Sequence, residues 1–327
     1  MMKVHTINST RLGFTIFLLL TLFSLRSAWA DPSAANMALQ QGRVDDAARL
    51  LQATVASQPD DASAHQLLCR VFYAQDMADS AINECEQAVA RDPGSSDNQM
   101  WLGRAYGLKA SHAGPFSGLF LAKKVRLAFE RAVQLSPANV QAASDLGEFY
   151  IGAPAIAGGG LDKAQRLAAS VQPYSPARAH RLLALIAEKK KDIGRAETEF
   201  KNAVAASRSP ETYVDLGFFY QRQNQPDRAV PALQAALDAD HAHDAVLVDV
   251  ASILTDAQRS PELAERVLRE YLASPAKSDA APAFKVHLQL GRLLAHRGDT
   301  AGARREYDAA LKLAPGYGPA RKALQGD

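Results

Sequence analysis

The hydrophobic positions of this chain recur with a period near 34 residues, and each period holds two amphipathic segments. A leucine precedes a small residue, a bulky residue follows three places later, and alanine, a bulky residue and alanine follow at places 12, 16 and 19. Residues 290–315 carry the whole pattern with a closing proline: Leu290, Gly291, Leu294, Ala303, Tyr307, Ala310 and Pro315. Residues 68–93 and 216–236 repeat it. The spacing predicts two helices in each period.

Two helices that face each other explain these residue types. The leucine and the first bulky residue share one face of the first helix, and the alanines share a face of the second with the other bulky residue. Small residues at the facing places let antiparallel helices approach closely, and a proline ends the second helix. Each pair keeps an apolar face that only a neighbouring pair can cover, so the pattern predicts a stack of helix pairs.

The pattern resembles the tetratricopeptide repeat, a helix–turn–helix unit of about 34 residues with the signature W-x2-L-G-x2-Y…A-x3-F…P. The tryptophan is absent from its place in every unit of this chain. The resemblance covers residues 31–327 as about eight units, and it implies an all-α, right-handed α-solenoid. A short helix over 319–325 would cap the array.

Proline spacings predict where the array departs from its period. Pro59 and Pro93 are 34 residues apart, whereas Pro93 and Pro137 are 44 apart and Pro137 and Pro176 are 39 apart. Ten and five extra residues therefore fall near 111–121 and 153–160. We also expect a loosened tail over 274–282, at the end of the seventh unit.

The first insertion is the most apolar irregular stretch of the sequence. Phe116 and Phe120 precede two lysines, Lys123 and Lys124, which suits a contact patch for a partner or a membrane surface. The alternative is a lengthened second helix whose apolar side packs inside. Apolar residues continue at helical spacing through Phe129, and this periodicity favours the helix.

The first 30 residues have the pattern of a secretory signal peptide. Positive charge at Lys3 and Arg11 precedes an apolar run from Leu12 to Leu25, and Ala28 and Ala30 form an A-x-A site. We expect cleavage after Ala30 and export, most simply to a periplasm. The alternative is an uncleaved membrane anchor, but a bilayer span needs about 20 apolar residues and this run is shorter.

The charge balance excludes some classes of partner. The chain has 37 basic and 35 acidic residues, but the three basic residues of the predicted signal leave 34 against 35 in the remainder. Because this remainder has no basic surplus, we expect no nucleic acid partner. The apolar content of 47% with only 7% aromatic residues fits close helix contacts made by alanine and glycine.

The two cysteines, Cys69 and Cys85, fall on the two helices of one unit. They stand at facing places, where neighbouring units have a glycine and a bulky residue. Antiparallel helices bring such places together, and an exported protein meets oxidising conditions, so we expect a disulfide. The alternative is a pair of small buried side chains that fill space.

The resemblance also implies a binding face, because the first helices of tetratricopeptide units line a concave groove. The corresponding places here are Gln66, Arg70, Tyr73, Met100, Arg104, Arg181, Val214, Phe218, Gln221, Leu288 and Arg292. Arginine beside aromatic and apolar groups suits a peptide with a carboxylate or an acidic residue. The alternative is an ordinary solvated face. The set differs from the lysine and asparagine carboxylate clamp of chaperone-binding members.

Other motifs give no sign of catalysis, a metal or a cofactor. His241 and His243 lack ligand spacing and read as loop residues. Gly158 to Gly160 lack the lysine of a phosphate loop and read as a flexible insertion. We therefore predict that this chain is not an enzyme. The favoured hypothesis is an exported scaffold that binds a protein or peptide in its groove. The alternatives are an accessory subunit of a cell-envelope or polysaccharide-export assembly, and an enzyme hidden in the two insertions.

Overall fold

The computed structural model describes residues 32–326, which form seventeen α-helices and no strand. The predicted signal peptide lies outside the described residues. The helices are α1 (Pro32–Gln40), α2 (Val44–Ser57), α3 (Ala62–Ala74), α4 (Ala78–Arg91), α5 (Ser96–Ser111), α6 (Pro115–Leu135), α7 (Val140–Gly152), α8 (Leu161–Val171), α9 (Pro176–Lys189), α10 (Ile193–Ser207), α11 (Pro210–Arg222), α12 (Pro226–Ala239), α13 (Val246–Asp256), α14 (Pro261–Ala273), α15 (Ala283–His296), α16 (Thr300–Leu313) and α17 (Gly318–Gln325).

The helices pair in chain order into the eight predicted units, from α1–α2 to α15–α16, and α17 caps the last unit. Successive units stack through their first helices and through contacts such as α4 with α5 and α10 with α11. Side-chain oxygens cap the amino ends of several helices, among them Asp61 at α3 and Asn139 at α7, where each accepts backbone N–H bonds. The predicted all-α solenoid is confirmed.

Where the small residue of a unit is glycine, a ring or branched side chain occupies the space beside it. A Cβ atom on Gly103 would overlap the ring of Phe129, and one on Gly291 would overlap the ring of Tyr307. On Gly217 it would lie 2.7 Å from Leu233. In these three units the side chain beside the glycine is the bulky residue of the second helix. The two positions of the sequence pattern are therefore in direct contact.

Cys69 and Cys85 occupy this same pair of places in the second unit. They form a disulfide with a Cα–Cα distance of 5.3 Å, and both side chains are fully buried. The covalent bond thus joins α3 to α4 where neighbouring units rely on packing between a glycine and a ring.

Three units share a second internal link, between a histidine and a glutamate 19 residues apart. Histidine Nδ1 lies 2.7 Å from Oε2 in the pair His65–Glu84, 2.8 Å in His180–Glu199 and 2.7 Å in His287–Glu306. Each histidine stands where the tetratricopeptide signature has tryptophan. A polar contact between the two helices therefore takes the place of a large apolar ring in the second, fifth and eighth units.

The first insertion lengthens helices and adds little loop. α5 continues to Ser111 and α6 begins at Pro115, which gives α6 21 residues against 14 for α4. The predicted longer second helix is therefore present. Its first turns do not pack inside, however, since Phe116 is 93% exposed and Phe120 is 62% exposed.

The second insertion is a hydrogen-bonded turn, in contrast to the flexible insertion expected from its glycines. Gly160 N–H donates to the carbonyl of Tyr150 at 2.8 Å, and Lys163 Nζ donates to the carbonyl of Gly158 at 2.9 Å. A Cβ atom on Gly159 would overlap the carbonyl of Ala153, and Gly158 has a φ of +95°. Glycine is required here by space and by backbone conformation.

The array closes on itself, because its first two units contact its last two units. Arg70 on α3 donates two hydrogen bonds of 2.8 Å to the carboxylate of Asp279. Lys285 on α15 donates to Asp76 at 2.8 Å. Between these ion pairs, a Cβ atom on Gly42 would lie 2.9 Å from the backbone nitrogen of Ala283. We call this set of contacts the clasp.

The segment 274–282 forms the carboxyl-terminal half of the clasp, and it is more ordered than its sequence suggests. The buried hydroxyl of Tyr271 donates to the carbonyl of Ala281 at 2.6 Å and accepts from Ser278 N–H at 3.1 Å. One side chain thus folds the segment back and holds Asp279 towards α3. Apolar residues from both ends of the chain, such as Leu39 and Phe284, belong to one continuous core.

Opening the clasp should enlarge the molecule. In an Arg70→Ala/Lys285→Ala variant we expect a larger radius of gyration by small-angle X-ray scattering, with a loss of about 2 kcal/mol in the free energy of unfolding. Arg104→Ala is the matched control, because it breaks a similarly buried ion pair between adjacent units. It should lower stability without changing the radius. An unchanged radius in the double variant would mean that the apolar contacts alone close the array.

Candidate functional site

The first helices of the units supply most of the predicted groove residues, but these differ in exposure. Gln66, Tyr73 and Gln221 are half-buried, and Phe218 is 41% exposed. Met100, Val214 and Leu288, which are all three places before the small residue, lie in the core. The outer surface of the groove is therefore built mainly from the places after the small residue.

The predicted groove arginines already have carboxylate partners within the chain. Arg104 pairs with Asp145 of the next unit at 2.7 Å, and Arg181 pairs with Asp215 of the next unit at 2.9 Å. Arg70 pairs with Asp279 in the clasp. These guanidinium groups link units to one another, so a carboxylate on a partner would have to compete with an internal one.

A tryptophan outside the predicted groove set lies between two of these arginines. The guanidinium carbons of Arg70 and Arg104 lie 5.2 and 4.7 Å from the ring centre of Trp101. Tyr73 meets the same ring edge-on at 5.6 Å. The stack holds both guanidinium groups in place for their carboxylates.

A cleft of about 430 Å³ crosses the first helices of three successive units, α7, α9 and α11. We call it the concave cleft. It is lined by Glu148, Ile151, Gly152, Arg181, Leu185, Glu188, Lys189, Phe200, Asp215, Phe218, Arg222 and Gln223. Two of the predicted residues, Arg181 and Phe218, therefore meet in one cleft.

Five of the six charged side chains of the concave cleft form two ion-paired groups, and Lys189 lies outside both. Arg181 donates to Asp215 and, at 2.7 Å, to Glu148. Arg222 donates two bonds of 3.0 and 2.6 Å to Glu188, and its guanidinium lies 4.3 Å from the ring centre of Phe218. Burial alone would lower the pKa of Arg181, but the two carboxylates outweigh it and raise that pKa. The cleft therefore offers a half-exposed aromatic ring inside a neutralised polar rim.

Asp249 on α13 continues the row of acidic residues begun by Asp145 and Asp215, but no base of the preceding unit faces it. It occupies the same place, two before the small residue of its unit. The sixth unit has Val214 and Phe218 at the places where other units have Arg181 and Arg104, so it supplies no arginine to pair with Asp249. Burial, followed by repulsion from Asp215, Asp244 and Glu211, raises the pKa of Asp249 to about 6. The groove is thus locally acidic beyond the concave cleft.

Asp249→Asn should stabilise the protein at neutral pH. The raised pKa means that the folded chain binds this proton more tightly than the unfolded chain, so ionised Asp249 costs stability as the pH rises through about 6. We expect a gain of about 1 kcal/mol above that pH, since the Asp249 carboxyl is surrounded by protein but still reaches solvent, which weakens the repulsion. The gain should vanish near pH 4 in urea unfolding. An exposed control, Asp308→Asn, should match the wild type at both pH values.

Several charged residues of the groove were not predicted from the sequence. Asp145, Asp215 and Asp249 recur two places before the small residue, and this periodicity was a usable signal. Glu188 lies four places after the small residue Ala184, as Tyr73 and Gln221 do in their units, so the same periodicity indicated it. Arg222 lies five places after its small residue and carried no such signal. Arg292, by contrast, lies outside the concave cleft, at the last unit.

The loop histidines do not gather into a metal site. His241 is exposed, and His243 pairs through Nδ1 with Glu270 at 2.5 Å. Within residues 32–326, no group of three or more histidine, cysteine, aspartate or glutamate side chains could hold a metal ion. In the same part of the chain, none of the helices combines the length and apolar character required to cross a membrane.

Tetratricopeptide repeat family models match residues 33–96, 251–318 and 210–243. A search of curated proteins found none that matches this chain. Among solved structures, yeast Tom70 is similar over 86% of this chain and 57% of its own, with 16% identity and a TM-score of 0.54.

Two other structures are similar at lower TM-scores. A thermophilic tetratricopeptide repeat protein of Thermus thermophilus has 19% identity and a TM-score of 0.43, over 69% of this chain and 100% of its own. The APC/C hetero-tetramer Cut9–Hcn1 has 14% identity and a TM-score of 0.40, over 89% of this chain and 54% of the other. This chain thus spans little more than half the length of Tom70 and of the matched APC/C chain. The family models cover about half of the sequence, and the chain belongs to the tetratricopeptide repeat family.

Proposed function

We propose that this protein is a scaffold that binds an extended segment of a protein partner in the concave cleft, without a covalent step. The observation that carries the proposal is the half-exposed ring of Phe218 within a cleft shared by three successive units. Tetratricopeptide repeat proteins bind protein partners and are in general non-catalytic scaffolds, which supports the proposal.

The internal ion pairs of the concave cleft favour an apolar anchor over a charged one. Arg181 and Arg222 already have carboxylate partners, so a charged ligand gains little there. An apolar side chain placed on Phe218 and Leu185 would displace water from carbon surface and leave those pairs intact. Backbone groups of the ligand could then bond to the polar rim.

Peptide selection from a random displayed library tests this proposal. Selected peptides should carry an apolar or aromatic anchor, and Phe218→Ala should weaken their binding about tenfold or more. Hydrogen exchange should show protection on α7, α9 and α11. Phe116→Ala is the control, because it removes an equally large exposed ring elsewhere. Selected peptides that bind the Phe218→Ala variant as tightly as the wild type would overturn the proposal.

We also propose that the protein is exported and that its first 30 residues are removed. The support is the signal-like pattern of residues 1–30 and the disulfide between Cys69 and Cys85, a bond that persists in oxidising compartments. Cell fractionation followed by amino-terminal sequencing tests this. We expect a mature chain that begins at Asp31. A cytosolic chain that keeps Met1 would contradict it.

An accessory subunit of a cell-envelope assembly is the second candidate function. The exposed rings of Phe116 and Phe120 favour it, with Lys124 5.5 Å from the ring centre of Phe120, since exposed apolar patches mark contact sites. A Phe116→Ser/Phe120→Ser variant that folds normally but no longer sediments with the cell envelope would support this role. Equal sedimentation of variant and wild type would count against it.

A further inference from the structure

A cleft larger than the concave cleft lies at the last unit. It has a volume of about 1100 Å³ and is bounded by α15, α16 and the cap α17. We call it the end cleft. α17 has 8 residues, whereas the first helices α9 and α15 have 14 each, so the cap leaves part of the last unit uncovered.

The end cleft has a different electrostatic character from the concave cleft. Arg292, Arg304 and Lys322 line it, and no aspartate or glutamate does. All three cations are exposed, and none lies within 4.0 Å of a carboxylate of residues 32–326. In the concave cleft, by contrast, Arg181 and Arg222 are fully paired. Within residues 32–326, therefore, no carboxylate pairs with the cations of the end cleft.

The remaining lining is apolar. The ring of Tyr307 and the side chains of Ala295 and Leu324 contribute to the walls. Arg292 lies near enough to Tyr307 to lower its pKa, although burial raises that pKa more. Aromatic, aliphatic and cationic groups thus share one surface, which is the combination that binding hot spots in protein interfaces use.

The size and lining of the end cleft indicate a peptide. Small-molecule pockets span about 300–1,000 Å³, so this cleft exceeds the upper end of that range. A nucleic acid or another polyanion would need a basic surplus along the surface, and the chain after residue 30 has none. An acidic peptide segment with interspersed apolar side chains matches both the cations and the walls.

We propose that the end cleft is a second binding site, which takes an acidic, partly apolar segment of a protein partner through Arg292, Arg304 and Lys322. This site does not depend on the concave cleft. The segment would cover the part of the last unit that α17 leaves open, with its carboxylates on the three cations and its apolar side chains against Tyr307 and Leu324.

Fluorescence anisotropy with a labelled peptide of repeated Glu-Glu-Leu-Leu tests the proposal on the full chain. We expect binding that weakens with added salt, and a loss of about tenfold or more in an Arg292→Gln/Arg304→Gln/Lys322→Gln variant. These residues are exposed, so the variant should keep its thermal midpoint. The control variant Arg131→Gln/Arg266→Gln/Arg305→Gln removes the same charge from other exposed places and should bind as the wild type does.

Further probes separate this site from its alternatives. A peptide with Lys for Glu should not bind, and one with Ser for Leu should bind more weakly. Phe218→Ala should leave binding of the Glu-Glu-Leu-Leu peptide unchanged, even if the concave cleft binds nothing. Equal losses in the two triple variants, equal binding of the Leu and Ser peptides, or tighter binding of heparin than of the acidic peptide would overturn the proposal.

Discussion

Arg181→Ala is expected to lower the free energy of unfolding by about 3 kcal/mol, measured by urea denaturation. The guanidinium is 18% exposed and joins Glu148 of the fourth unit to Asp215 of the sixth, across its own unit. Its removal leaves the 19% exposed carboxylate of Asp215 without a counter-ion. Asp215 then adds to the repulsion that Asp249 already experiences.

A double-mutant cycle separates the loss of the pair from the cost of the carboxylate left behind. Arg181→Ala/Asp215→Ala should recover part of the lost stability, because it removes the unpaired charge. Arg49→Ala is the matched control, since Arg49 pairs with Asp46 while 72% exposed, and it should change stability by less than about 0.5 kcal/mol. A double variant no more stable than Arg181→Ala would show that the unpaired charge of Asp215 does not lower the free energy of unfolding.

Loss of the disulfide is the second change with a large expected effect. The bond closes a loop with a sequence separation of 16 residues, and the loop entropy of the unfolded chain gives it about 3 kcal/mol of stabilisation. A Cys69→Ala/Cys85→Ala variant should therefore unfold at lower urea, and reducing agent should lower the stability of the wild type but not of the variant. Peptide mapping without reduction should recover the linked peptides, and two free thiols would contradict the bond.

The repeat pattern suggests an informative replacement for this pair. Since Gly103 and Phe129 meet at the corresponding places of the third unit, Cys69→Gly/Cys85→Phe substitutes packing for the covalent bond. We expect this variant to be more stable than Cys69→Ala/Cys85→Ala, because a ring fills the space between the helices. A lower stability would mean that the second unit has no room for the ring.

The fold was predictable because its determinants are local and repeated. Gly291 and Tyr307 are 16 residues apart in the sequence and meet across their helix pair, and the same spacing predicts that Cys69 faces Cys85. The clasp was not predictable, because Arg70 and Asp279 are 209 residues apart and their approach depends on the summed rotations of all the units between them. The segment 274–282 has no helical or strand periodicity, and its order depends on bonds to the Tyr271 hydroxyl that the hydrophobic pattern does not reveal.

The candidate site was predictable only in outline. Phe218 and Arg181 followed from their places in the unit, whereas the pairing of Arg181 with Asp215 depends on how adjacent units stack. The cations of the end cleft show the same limit. Arg292 looked equivalent to Arg104 in sequence, but Arg104 has a following unit that supplies Asp145, and Arg292 has only the short cap.

The clasp also changes how the molecule should come apart. In an open row of repeats, a terminal unit can detach by breaking one interface, so such rows fray from their ends. Here Lys285 of the last unit pairs with Asp76 of the second, and Gly42 of the first unit meets Ala283 of the last, so each end of the row has a neighbour on both sides. The least stable interface need not be at an end, and unfolding then begins at whichever interface between units is weakest, including an interior one.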